Sequence, residues 1–145
     1  MNGDNIMTNK YFRHELKYYI HPHTYLTLRQ HLKHLLNPDQ HANPNGEYHV
    51  RSLYFDDIND SCVSDKLSGI KMRRKYRIRV YNLSDTIIKL ECKYKIDQYI
   101  CKEVVPISRQ EFESIVKGDI KFLLESSHPI LKKLYVEMKH YLLKP

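Results

Sequence analysis

Lys75, Arg77 and Arg79 stand at alternate positions, and Lys89, Lys93 and Lys95 repeat that spacing downstream with Glu91 among them. Cations at every second residue suit an anion that presents oxygens at short, regular intervals. Arginine forks take two oxygens each, and lysines act as point charges. The residues between them lean apolar: Tyr76, Ile78 and Val80 in the first run, and Ile88, Leu90, Cys92, Tyr94 and Ile96 in the second. A strand sends alternate side chains to opposite faces, so each run reads as a ribbon basic on one side and apolar on the other. Residues 82–86 are mostly polar and read as the hairpin loop between the two. Two further strands extend the scheme. Residues 98–106 carry Lys102, and residues 11–20 set Arg13, Glu15 and Lys17 against Phe12, His14, Leu16 and Tyr18.

An antiparallel sheet often leaves one face in water, and lysine and arginine are common there. Such faces usually mix signs, because like charges directly opposite on neighbouring strands destabilise a sheet by a few tenths of a kcal/mol per pair. Here the cations are relieved chiefly by Glu15 and Glu91. That imbalance favours an anionic ligand over simple solvation.

Composition agrees. The chain has 145 residues, one domain's worth, with 41% hydrophobic residues to build a core. Its 24 Lys and Arg against 17 Asp and Glu give a formal charge of +7, and nine histidines add positive charge in acid. No apolar run approaches the roughly 20 residues of a membrane span, and no signal-like segment opens the chain. A soluble, cytoplasmic protein without direct membrane insertion is expected. Cys62, Cys92 and Cys101 form no CxxC pair, and an odd count argues against a disulfide framework.

The other segments alternate between strand and helix. Residues 1–9 read as a disordered leader. Pro22 opens a helix whose apolar face is Tyr25, Leu28, Leu32, Leu35 and Leu36, stopped by Asn37 and Pro38. Residues 47–56 read as another strand. Ser108 and Glu111 form a capping box for a helix that closes at Gly118, and Pro129 starts a last amphipathic helix through Ile130, Leu131, Leu134, Met138, Tyr141 and Leu142. His31 and His34 are spaced for a metal but lack a third ligand in register, and a solvated helix face explains them. Asp56, Asp57 and Asp60 do not follow a calcium-loop spacing and suit a turn or cap. There is no Gly-rich phosphate loop and no GxSxG, which excludes a P-loop NTPase or serine hydrolase as far as motifs can.

The series FRHELKYYI, VRSLYFDD, SGIKMRRKYRIRVYN and IKLECKYK, followed by Lys102, resembles the VTC domain over about residues 10–105. This is the polyphosphate polymerase domain related to CYTH proteins and other triphosphate tunnel metalloenzymes. The resemblance implies an α+β fold whose antiparallel sheet forms part of a triphosphate-tunnel (CYTH-like) barrel with flanking helices. Residues 10–145 would be the N-terminal part of that tunnel domain. The family domain is longer, so the missing wall would come from a C-terminal half beyond Pro145 or from self-association.

Carried over by position, Arg77 and Arg79 match the RxR pair that holds phosphate, and Lys93 matches the lysine of the ExK strand. These three are the expected catalytic residues. Lys17 matches the basic residue of the first tunnel strand, and Lys102 that of the strand after ExK; with Arg13, Lys75 and Lys89 they complete the expected substrate-binding set. Arg13 and Glu15 stand where CYTH relatives carry the two glutamates of ExExK, so only the second is kept. Glu15 and Glu91 are the carboxylates for a divalent metal, Mn²⁺ or Mg²⁺. The implied partners are a nucleoside triphosphate and polyphosphate. The implied reaction is phosphoryl transfer by positioning and electrostatics, and the alternative is a non-catalytic module that binds polyphosphate or nucleotide in an incomplete tunnel. RNA is disfavoured because the tyrosines lie mostly on the apolar parity, away from the cations. By parity the cations and glutamates are expected on one concave face, with Leu16, Ile78, Val80, Ile88 and Leu90 turned away beneath helices.

Overall fold

A computed structural model describes residues 11–145, so the expected leader at residues 1–9 lies outside the described residues. The chain divides into two compact units, one of residues up to Glu15 together with Val50–Pro145, the other Leu16–His49.

The larger unit is built on a five-stranded antiparallel sheet. Its strands are β1 (Arg13–His14), β2 (Val50–Tyr54), β3 (Met72–Tyr81), β4 (Ser84–Ile96) and β5 (Tyr99–Ile107), in the spatial order β1-β5-β4-β3-β2. The sheet does not close on itself, so α+β is the class and the barrel is not formed by these strands alone. The alternation in the long strands decides their faces. Tyr76, Ile78, Ile88, Leu90, Cys92, Val105 and Ile107 are buried in one core, with Val80 and Tyr94 packed at its margin. The helices complete that core: Ile115 from the helix Arg109–Lys117, Leu123 from Lys121–Glu125, and Ile130, Leu131 and Leu134 from Pro129–His140. Another short helix, Ser61–Leu67, buries none of its residues and carries no apolar period, which is why sequence patterning misses it. In chain order the helices of the whole protein are α1 (Pro22–Lys33), α2 (Ser61–Leu67), α3 (Arg109–Lys117), α4 (Lys121–Glu125) and α5 (Pro129–His140).

Several boundaries differ from expectation for local reasons. The β3–β4 connection is only Asn82 and Leu83, both in the left-handed region at φ 52° and 55°, so β4 begins at Ser84. Positive φ at both central residues marks a tight turn whose twist matches the flanking strands. The strand expected over residues 11–20 pairs only at Arg13–His14, opposite Ile100 and Tyr99. Beyond Tyr99 the neighbouring strand turns back through Asp97, at φ 52°, so the β1 ladder ends at His14. Leu16, which parity set on the apolar side, falls in the Leu16–His49 unit and is 70% exposed. The last helix ends at His140. Leu142, at φ 54°, is exposed, and Leu143 turns into the core in its place.

The capping box of α3 is formed as the sequence implies. The Glu111 N–H donates to Ser108 Oγ at 3.1 Å, the Ser108 N–H donates to the Glu111 carboxylate at 2.7 Å, and Gly118 ends the helix at φ 84°. Asp56 and Asp57 act as turn acceptors: the Cys62 N–H reaches Asp56 Oδ1 at 2.9 Å, and the Asn59 and Ser61 N–H groups reach Asp57 Oδ1.

In the smaller unit, α1 starts with Pro22 in its first turn, and His21 Nδ1 accepts from the His23 N–H at 3.2 Å. The helix stops at Lys33, so Leu35 and Leu36 fall in the following turn and are exposed, contrary to the expected apolar face. No residue of this helix is buried.

Candidate functional site

The sheet face opposite the core carries the cations. Directly paired residues of antiparallel strands share a face. The register aligns Lys75 with Lys93 and Lys102, Arg77 with Glu91 and Val104, and Arg79 with Lys89 and Pro106. Arg13 shares the face through its pairing with Ile100, which itself pairs with Lys95. All of the expected site residues on β3, β4 and β5 are therefore brought together. Lys17 belongs to the Leu16–His49 unit.

Each glutamate on this face is engaged by a cation. Glu91 is 2% exposed. One of its oxygens accepts from Arg77 Nε at 2.6 Å and meets Arg77 Nη2 at 2.6 Å, and the other lies 3.7 Å from Lys102 Nζ. Glu15 Oε2 accepts from Lys93 Nζ at 2.6 Å. A carboxylate sunk among cations lets the strands sit side by side, because a sheet with only like charges here would repel itself.

Strand β2 adds residues that the cation pattern alone could not reveal. Tyr54 lies directly across from Arg77, and its hydroxyl accepts from Arg77 Nη1 at 3.1 Å, with the guanidinium carbon 5.9 Å from the ring centre. Ser52 lies across from Arg79, and its Oγ accepts from Arg79 Nε at 3.2 Å. The hydrogen bond from Arg77 holds the Tyr54 phenol below its ordinary titration range, aided by the nearby charges of Arg77, Arg79 and Lys75 and opposed by partial burial. The signal available in sequence was the alternation of Ser52 and Tyr54 in VRSLYFDD, legible only once the register with β3 is known.

Arg73 and Arg74 sort to opposite sides. Arg73 shares the parity of the cations but donates to the Ile70 carbonyl at 3.3 Å, at the strand's start. Arg74 lies on the core side and pairs with Glu137 of α5. Burial pushes the Glu137 carboxyl up, and Arg74 opposes that shift. This pair borders a cavity of about 550 Å³ between α2, α5 and the ends of β3 and β4. Its lining sets Arg73, Arg74, Lys95 and Lys133 against Asp57, Asp65 and Glu137, with Arg74 holding Glu137 and the Lys133 ammonium over the Tyr94 ring at 5.8 Å. Its signs are nearly balanced, unlike those of the sheet face.

Cys92 and Cys101 are buried and Cys62 half-buried, all with free thiols. Burial pushes the Cys62 and Cys92 thiols up to about 11, so neither is a nucleophile at neutral pH. Among the described residues no group of three His, Cys, Asp or Glu could hold a metal. Glu15 and Glu91 point at Lys93, Arg77 and Lys102 instead of at one another, so as they stand they do not make a donor set for a divalent ion. Among the described residues no helix is long and apolar enough to cross a membrane.

The sheet thus has one face packed under helices and the other paved with in-register lysines and arginines. The profile of one protein family, the VTC domain, matches residues 12–145, and the chain belongs to that family. Comparison with curated proteins gives no match.

Proposed function

We propose that the cationic sheet face binds the phosphate chain of a nucleoside triphosphate or of polyphosphate, in the manner of a polyphosphate polymerase domain. The observation that carries this reading is the register. It places Lys75, Lys93 and Lys102 in one row and Arg77, Arg79 and Lys89 beside it, with Glu91 and Glu15 as the acidic partners. Strands about 4.8 Å apart offer cations on a lattice comparable to successive phosphates. Arg79, held through Nε by Ser52, keeps its terminal nitrogens for phosphate oxygens, while Arg77 is braced on Glu91 and Tyr54.

In phosphoryl transfer these groups would orient the chain and offset the charge on the transferred group, which is where most of the catalysis lies. Arg77, Arg79 and Lys93 are the residues we assign to that role. Arg13 and Lys102 would extend the contact along the chain. Lys17 is assigned to it by the family motif alone. The divalent ion of the family, Mn²⁺ or Mg²⁺, would reach Glu15 and Glu91 only after they exchange Lys93 and Arg77 for it, and no step is derived through it.

The second reading is a binding module without turnover, favoured by the unclosed sheet: cations facing water are screened and imperfectly preorganised. Titration with tripolyphosphate at low and high ionic strength tests the shared claim. Arg77→Ala with Arg79→Ala is expected to weaken binding about tenfold or more at low salt, since each charged hydrogen bond contributes roughly 1.5–3 kcal/mol before screening. Equal affinity of parent and double variant would remove these arginines from the site. Phosphate release from ATP with Mn²⁺ or Mg²⁺ separates the enzyme from the binding module.

A further inference from the structure

We propose that β2 supplies two ligand-contacting hydroxyls to the phosphate site, Tyr54 and Ser52, each donating its own O–H to a phosphate oxygen beside the arginine across the ladder. The inference rests on the cationic face being the phosphate site.

The geometry recurs twice in one register. Tyr54 is opposite Arg77 and accepts from Nη1 at 3.1 Å; Ser52 is opposite Arg79 and accepts from Nε at 3.2 Å. A hydroxyl has one hydrogen to give and two lone pairs to receive with. When a lone pair is taken by a guanidinium, the hydroxyl hydrogen stays available, and the adjacent positive charge makes it a better donor. An anion drawn to the arginine therefore meets an N–H and an O–H side by side. Tyr54 is 53% exposed, so a bound oxygen can reach it. The hydroxyls also answer a chemical need that lysine and arginine do not. They add donors without adding charge to a face where Lys75, Lys93 and Lys102 already oppose one another.

The experiment is calorimetric titration of the full chain with inorganic tripolyphosphate, using Tyr54→Phe, Ser52→Ala, Arg77→Ala, and Tyr54→Phe combined with Arg77→Ala. Tyr54→Phe keeps the ring over the guanidinium and removes only the oxygen. It is expected to weaken binding about three- to tenfold, less than a fully buried hydrogen bond to a charged group because the position is half-exposed. Ser52→Ala is expected to behave alike. The decisive comparison is the cycle: a hydroxyl that touches the ligand still costs several-fold when Arg77 is already alanine, whereas one that merely orients Arg77 costs nothing there.

A second readout needs no variant fold. With ring-labelled tyrosine, one phenolic carbon resonance is expected to move on adding tripolyphosphate, with the midpoint of the calorimetric titration. Loss of the Tyr54→Phe effect in the Arg77→Ala background, or tyrosine resonances that all stay still at saturation, would overturn the inference and leave the phosphate site standing. A parent chain that fails to bind tripolyphosphate at all would overturn both.

Discussion

Arg74 is a cation set one residue out of phase with its neighbours, and its partner shows what that costs. It faces the core side, where Glu137 is 8% exposed and burial alone would push the carboxyl towards its neutral form. The Arg74 charge, itself about half exposed, makes the ionised carboxylate tolerable there. Removing one partner of a buried pair typically costs 3–5 kcal/mol, and the exposure of Arg74 scales that down. Arg74→Ala is therefore expected to lower stability by about 1–3 kcal/mol at pH 7. A carboxyl whose folded titration is raised contributes stability that is complete below its unfolded value and lost as pH rises through the folded one. Without Arg74 that rise grows larger, so the deficit of the variant should shrink as pH falls below the ordinary glutamate range. Chemical denaturation of parent and variant at neutral and acid pH measures both. A deficit independent of pH would mean that packing of the arginine stem, and not its charge, is what was lost.

The long strands were legible in sequence because both of their faces were written in strong residue types: Tyr76, Ile78, Ile88 and Leu90 against Lys75, Arg77, Arg79 and Lys89. The α3 cap was legible because its chemistry is local, one hydroxyl and one carboxylate three residues apart. Ser108→Ala should accordingly cost about 1 kcal/mol, measured by urea denaturation. An unchanged midpoint would mean that the packing of Ile115 alone holds that helix end. What stayed illegible depends on partners distant in sequence. Residues 11–20 alternate well enough for a long strand, but the turn at Asp97 removes the partner after His14. The acidic run before α2 hides a helix that has no buried side to announce it. The assignments of Tyr54 and Ser52 waited on the β2–β3 register, which no local pattern contains.

At the scale of the molecule, β5 is paired with β1 only at Tyr99 and Ile100, so from Cys101 onward its outer edge carries no strand among the described residues. Open edges recruit further strands. We expect self-association of the chain across this edge, with a second copy standing where a closed wall would be. Light scattering across a concentration series should then give a mass above 17.5 kDa. A constant monomer mass together with full ATP turnover would show that the open sheet suffices. The row Lys75, Lys93 and Lys102 carries a further consequence, for how salt acts on the protein. With no ligand bound, mobile ions shield these lysines from one another, so raising ionic strength should make the sheet harder to unfold. If the row holds phosphate as proposed, the same ions compete for it, so raising ionic strength should loosen binding. Melting temperature and affinity ought to move in opposite directions along a single salt series, and tripolyphosphate should raise the melting temperature most in the dilute buffer where the empty protein is weakest.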